Sequence, residues 1–118
     1  MGKANTVELT QLFEILAHQH RRYVFYYLKQ ESGSADLRTL ATTIATWAGG
    51  GSGTSRAATT DAVETALYHT HLPKLVDAGF VTFDKTADTI ELTGTNGLDP
   101  FLAETAPVDG DPSVLAEY

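Results

Sequence analysis

Histidine is the residue type in this chain most able to do chemistry. His18 and His20 form one i,i+2 pair, and His69 and His71 form another. Neutral imidazole is a common ligand for zinc-class ions. On a helix, residues two apart point about 160° away from each other, so neither pair chelates one ion from a single helical face. Cysteine is absent, which excludes thiolate zinc sites, iron–sulfur clusters and a disulfide framework. No metal and no cofactor are expected. Enzyme signatures are missing too: there is no Gly-x-Ser-x-Gly, no phosphate-binding Gly-x-x-x-x-Gly-Lys-Ser/Thr and no His-Glu-x-x-His. The glycines between Ala48 and Gly53 lack both the preceding strand and the following lysine of a nucleotide cradle. The chain does not read as an enzyme.

The cations are the remaining chemistry. All eight lysines and arginines fall within residues 1–85, matched there by eight carboxylates, whereas residues 86–118 carry seven acids and no base. The formal charge of −7 therefore sits in the last third. A pI near 4.8 argues against a generic polyanion binder, yet the body alone is neutral. Few lysines beside many Asp, Glu, Thr and Ala residues match the composition of salt-adapted proteins. At 118 residues and 42% hydrophobic, the chain suits one small globular domain. It has no apolar run long enough to span a bilayer and no apolar signal core, so a cytoplasmic location is expected. Met1–Thr6 fits the short myristoylation pattern, a match of low specificity.

Apolar spacing predicts the elements that hold these side chains. Residues 6–17 form an amphipathic helix and residues 20–29 a second one, with Val24, Phe25, Tyr27 and Leu28 buried. Residues 31–34 form a loop with Ser34 as the cap of a third helix, whose apolar stripe is Leu37, Leu40, Ile44 and Trp47. Ala48–Ser55 is too glycine-rich to continue it. A fourth helix is expected from residues 59–61, where Asp61 and Glu64 fit a capping box, to Ala78, with Gly79 as its stop. Pro73 lies inside it and should bend it. After Gly79 the period switches to 2: Val81 and Phe83, then Ile90 and Leu92, alternate with polar residues, so residues 80–93 read as a β-hairpin. Residues 95–106 hold a short helix opened by Asp99 and Pro100, and residues 107–118 read as a flexible acidic tail. The fold class is α+β, mainly α: a winged helix-turn-helix over residues 1–94, with about four helices and a two-stranded wing.

The segment Leu12–Leu28 (LFEILAHQHRRYVFYYL) resembles the opening of ArsR-type repressors, and His71–Val81 (HLPKLVDAGFV) resembles the segment that ends their recognition helix and enters the wing. Leu67–Val81 is also similar to an uncharacterised haloarchaeal winged-helix family. The resemblance spans Val7 to Thr93. It implies a homodimeric transcriptional regulator whose recognition helix enters the major groove of double-stranded DNA, and it gives His71 a partly buried hydrogen-bonding role beside a core leucine.

At 100° per residue, Tyr68, Leu72, Leu75, Val76 and Gly79 fall on one face of the fourth helix, which is taken as the core. The opposite face carries Val63, Ala66, Leu67, Thr70 and Lys74. The expected groove residues are Thr65, His69, Thr70 and Lys74, beside an acidic Glu64. Arg21, Arg22, Arg56 and Lys85 are expected on phosphates, with Arg38 also within reach of the backbone. Tyr23 and Tyr26 are expected either at a dimer interface or against the first helix or C-terminal segment. Leu98, Phe101 and Leu102 pack either on the body or across the dimer axis. Leu67 is an interface candidate as well, and with Val63 it supports the competing expectation of a winged-helix protein–protein module that does not read DNA. The acidic tail offers a third idea, folding over the basic positions in competition with DNA.

Overall fold

The computed structural model describes residues 9–49, 54–95 and 97–109, the side chains of 54–58 excepted. Its elements run α1 (Leu9–Leu16), α2 (Gln19–Gln30), β1 (Ser34–Ala35), α3 (Leu37–Trp47), α4 (Thr54–Ala66), a π-turn (Leu67–His71), α5 (Leu72–Asp77), β2 (Val81–Asp84), β3 (Thr89–Leu92) and α6 (Asp99–Asp109). This is a winged helix-turn-helix, mainly helical with one small antiparallel sheet in the order β1-β3-β2.

The hairpin forms where the apolar period changes. Val81 pairs with Leu92 and Phe83 with Ile90. Asp84 closes the turn by accepting from the backbone N–H groups of Thr86 and Ala87. Gly79 supplies the left-handed corner, at φ +84°, that lets Phe80 N–H reach the carbonyl of Leu75 and turns the chain from helix to strand. The sheet has a third strand that local pattern did not reveal. Ser34 is not the cap of α3: it pairs with Glu91 as β1, and Asp36 takes the capping role by accepting from Thr39 N–H.

The fourth predicted helix starts earlier, at Thr54, and is continuous through a π-turn. Asp61 and Glu64 are therefore mid-helix residues and not a capping box. Both accept from Arg38 Nη1, at 2.7 and 2.6 Å, joining α3 to α4. The π-turn is where Pro73 acts. In a regular helix its ring would crowd the carbonyl of His69. Here the turn before it is widened, and Leu72 N–H reaches back five residues to the Leu67 carbonyl.

Widening by one residue also resets the helix phase by about 100°. In a regular helix Leu72 would lie about 180° from Val63 and Leu75 about 120°. After the reset these become about 80° and about 20°, so both leucines rejoin the face of Val63 and Leu67. The expected faces are corrected accordingly. Val63, Leu67, Leu72 and Leu75 are buried, whereas Tyr68 and Val76 are exposed.

Phe25 meets Phe80 edge to face, with ring centroids 5.7 Å apart, at the centre of a core shared by Leu28, Leu40, Ile44 and Ile90. The helix beginning at Asp99 runs past Pro107 to Asp109, so residues 107–109 are helical and not part of a flexible tail. Residues 110–118 lie outside the described residues, as does the Met1–Thr6 match.

Candidate functional site

The segment expected to carry recognition residues is the rod α4–π-turn–α5, with the β2–β3 wing beside it. Thr65, His69, Thr70 and Lys74 are all exposed on it. Tyr68 stands beside them and leans on the wing: its ring lies 5.9 Å from that of Phe83, nearly perpendicular, and Lys85 Nζ sits 5.0 Å from its centroid. The contact ties wing to helix and holds Lys85 next to the predicted groove residues. Between helix and wing lies a cleft of about 300 Å³ lined by Tyr68, Pro73, Val76, Phe83 and Lys85.

The two arginines do something else. Arg21 is buried. Its Nε donates to the Ile15 carbonyl at 2.9 Å, Nη2 donates to the Glu14 carbonyl at 2.6 Å, and Nη1 lies 3.0 Å from His71 Nδ1. Arg22 Nη1 donates to the Leu16 carbonyl at 2.5 Å, and its Nε and Nη2 form a fork on Asp109 at 2.8 and 2.9 Å. The last carbonyls of α1 have no partner within their own helix, and the Arg21–Arg22 pair satisfies three of them. The expectation that these residues lie open for phosphate is corrected. Arg21 faces inward, and Arg22 is already held by a carboxylate of the C-terminal segment, so the idea that this segment folds onto a basic position has a structural counterpart in Asp109. Arg56 falls in α4, and its side chain lies outside the described ones.

The apolar interface candidates are covered by their own chain. Leu67 and Leu98 are fully buried, and Tyr23, Tyr26 and Leu102 nearly so. Tyr23 stacks edge-on against Trp47. The Tyr26 hydroxyl reaches Thr105 Oγ1 and donates to Asp109 Oδ2, each at 2.7 Å. Of the two placements expected for these tyrosines, Tyr26 takes the one against the C-terminal segment: α6 packs over that side of α2, with partners 79–83 residues distant in sequence. Among the described residues, α1 leaves Leu9 and Phe13 open, at 59% and 50% exposure, with Phe13 edge-on to the half-buried Phe101.

The histidines also depart from the helical projection. His18 precedes α2 in extended backbone (φ −103°, ψ 128°), and its Nδ1 accepts from His20 N–H as the helix cap. That backbone brings the two rings to 5.0 Å, and His71, reaching in from the π-turn, comes to 4.3 Å from His18. The three residues offer ligand nitrogens within 4.8 Å of one another. Burial holds all three below the ordinary imidazole pKa, and the cations and rings around them add to the shift; His71 is brought down to about 4. All three rings are therefore neutral at pH 7. This cluster was missed because the pairs were treated as lying on uninterrupted helices. His69 lies apart from it, against Tyr68.

Residues 13–91 match the profile of a family described as a domain of unknown function, DUF7344. The chain belongs to this family. The matched span runs from within α1 to within β3, so the DUF7344 unit holds the arginine pair, the histidine cluster, the α4–π-turn–α5 rod and most of the wing, while α6 and Asp109 lie beyond it. No curated protein and no solved structure matches the chain.

Proposed function

We propose that this chain is a homodimeric winged-helix DNA-binding transcriptional regulator, related to the ArsR-type repressors and acting in the cytoplasm. The observation that carries the reading is the exposed row Thr65, His69, Thr70 and Lys74 on the rod that follows the helix-turn, with Lys85 held beside it by Tyr68. Hydroxyl, imidazole and ammonium groups at these positions suit base edges and phosphates in a major groove. The dimer contact falls to Leu9, Phe13 and Phe101, since Tyr23, Tyr26, Leu98 and Leu102 are engaged within the chain. No helix among the described residues is long and apolar enough to cross a membrane.

Fluorescence anisotropy with genomic DNA fragments across a salt series tests this reading. Lys74 and Lys85 of both protomers would supply four phosphate contacts, for a slope of log K against log salt of about −4. Lys74→Ala should weaken binding and flatten that slope. Failure to bind any fragment at low salt overturns the proposal.

A second reading, a protein–protein module without DNA recognition, is favoured by the apolar cleft between rod and wing, where Tyr68 and Val76 are exposed. Its critical residues would be Tyr68 and Val76; Leu67, which is buried, has no part in it. Loss of a stoichiometric protein partner in Val76→Glu would favour this reading.

A further inference from the structure

We infer that His18, His20 and His71 form a binding site for a divalent first-row transition metal of the zinc class. The site lies where the start of α2 meets the π-turn of the α4–π-turn–α5 rod. It does not rest on the DNA-binding reading and stands or fails separately from it.

Three features carry the assignment. The ligand nitrogens come from two segments more than 50 residues apart and already lie within 4.8 Å of one another. Tetrahedral coordination at about 2.0–2.1 Å brings ligand nitrogens to about 3.3 Å, and rotation of the exposed His18 ring and the half-exposed His20 ring supplies the closure. The π-turn carries His71 and makes it buried, on the same side as Leu67. Finally, the three rings edge a cavity of about 460 Å³, bounded opposite by Thr59, Ala62 and Ala66. That leaves space for a fourth ligand, a water or a small donor molecule. A three-imidazole set with one open position suits zinc, cobalt(II), nickel(II) or copper(II), and not magnesium or calcium, which demand oxygen.

The proton inventory gives the site a signature. Arginine only donates, so His71 Nδ1 presents a lone pair to Arg21, and the neutral ring carries its proton on Nε2. His18 Nδ1 likewise accepts from a backbone N–H, with its ring proton on Nε2. Ligation through Nε2 moves each ring proton to Nδ1 by exchange with solvent. No electron is transferred. The shift breaks the Arg21–His71 bond, and Arg21 keeps its two carbonyl acceptors. Those losses and the nearby guanidinium set the affinity below that of thiolate structural sites.

The test uses the full chain without a histidine tag. Cobalt(II) titration followed by visible absorption, with displacement by zinc, should give one site per chain. His20→Ala should lower the affinity about tenfold or more, and the His18→Ala/His20→Ala double variant should abolish the one-site spectrum while the far-ultraviolet dichroism of the fold persists. Nitrogen-15 spectra should show the His18 and His71 rings changing from the Nε2–H to the Nδ1–H form on zinc addition. Absence of stoichiometric binding, retention of it in the double variant, or unchanged ring tautomers under saturating zinc would each overturn the assignment.

Discussion

Replacing Asp109 by alanine isolates what docks the C-terminal helix. The carboxylate receives both arms of the Arg22 fork, at 2.8 and 2.9 Å, and the Tyr26 hydroxyl at 2.7 Å. Its side chain is 5% exposed and that of Arg22 is 18% exposed. Removing one partner of a fully buried ion pair costs about 3–5 kcal/mol, whereas an exposed pair contributes about 0.2–1 kcal/mol. Arg22 keeps the Leu16 carbonyl and some solvent, and Tyr26 keeps Thr105, so Asp109→Ala should cost about 2–3 kcal/mol. For a domain of this size that lowers Tm by about 8–12 °C. Urea unfolding at pH 7 on the wild type, Asp109→Ala, Arg22→Ala and the double variant measures it, and the cycle should return a coupling energy of about 1–2 kcal/mol.

The pH dependence gives a second handle on the same contact. The Arg22 hydrogen bonds, ahead of the opposing cost of burial, hold the Asp109 carboxyl below its usual pKa. Its contribution is therefore complete above the unfolded value of about 3.9 and is lost as pH falls through the folded one. Asp109→Ala should flatten that acid limb. A destabilisation below about 0.5 kcal/mol with no measurable coupling would refute the reasoning, because it would mean that α6 docks through its other contacts, such as Leu102 and the Tyr26–Thr105 bond, without the carboxylate.

Other outcomes follow from the same packing. Leu67→Ala should cost about 2–5 kcal/mol in urea unfolding, as a cavity in the core does; a near-neutral effect would return Leu67 to the surface. Burial pushes the Tyr26 hydroxyl up to about 12, so its contribution is complete below the unfolded value of about 10 and fades as pH rises through the folded one. Tyr26→Phe should remove that alkaline loss, read by tyrosinate absorbance alongside stability. Gly79→Ala meets no atom within 4 Å of the added Cβ but sits at φ +84°. The expected cost of about 1 kcal/mol is therefore purely conformational, and Gly79→Asn should recover part of it.

What was legible beforehand shares one property: the signal and its cause lie within a few residues of each other. The stripe Leu37, Leu40, Ile44, the corner at Gly79 and the alternation Val81, Phe83, Ile90, Leu92 predict a helix, a stop and a hairpin, and the chain folds so. The spacing also predicts that Thr65, His69, Thr70 and Lys74 face outward, and they are exposed. The wrong core face for Tyr68 and Val76 came from assuming a uniform 100° step across Pro73, where the helix widens by a residue.

By itself, then, the amino-acid sequence determined the period-3.6 and period-2 segments, their order and the corner between them, because those follow from side chains that must share one buried face with near neighbours. Only tertiary structure decided the partners. The pair Arg21–Arg22 reads as free charge until the ends of α1 and α6 converge on it, and His18, His20 and His71 read as unrelated until a break before α2 and a widened turn bring them together. A helix end's unpaired carbonyls and a distant carboxylate leave no periodic trace in the residues that satisfy them. Burial and charge pairing across 50 to 90 residues are properties of the folded chain alone.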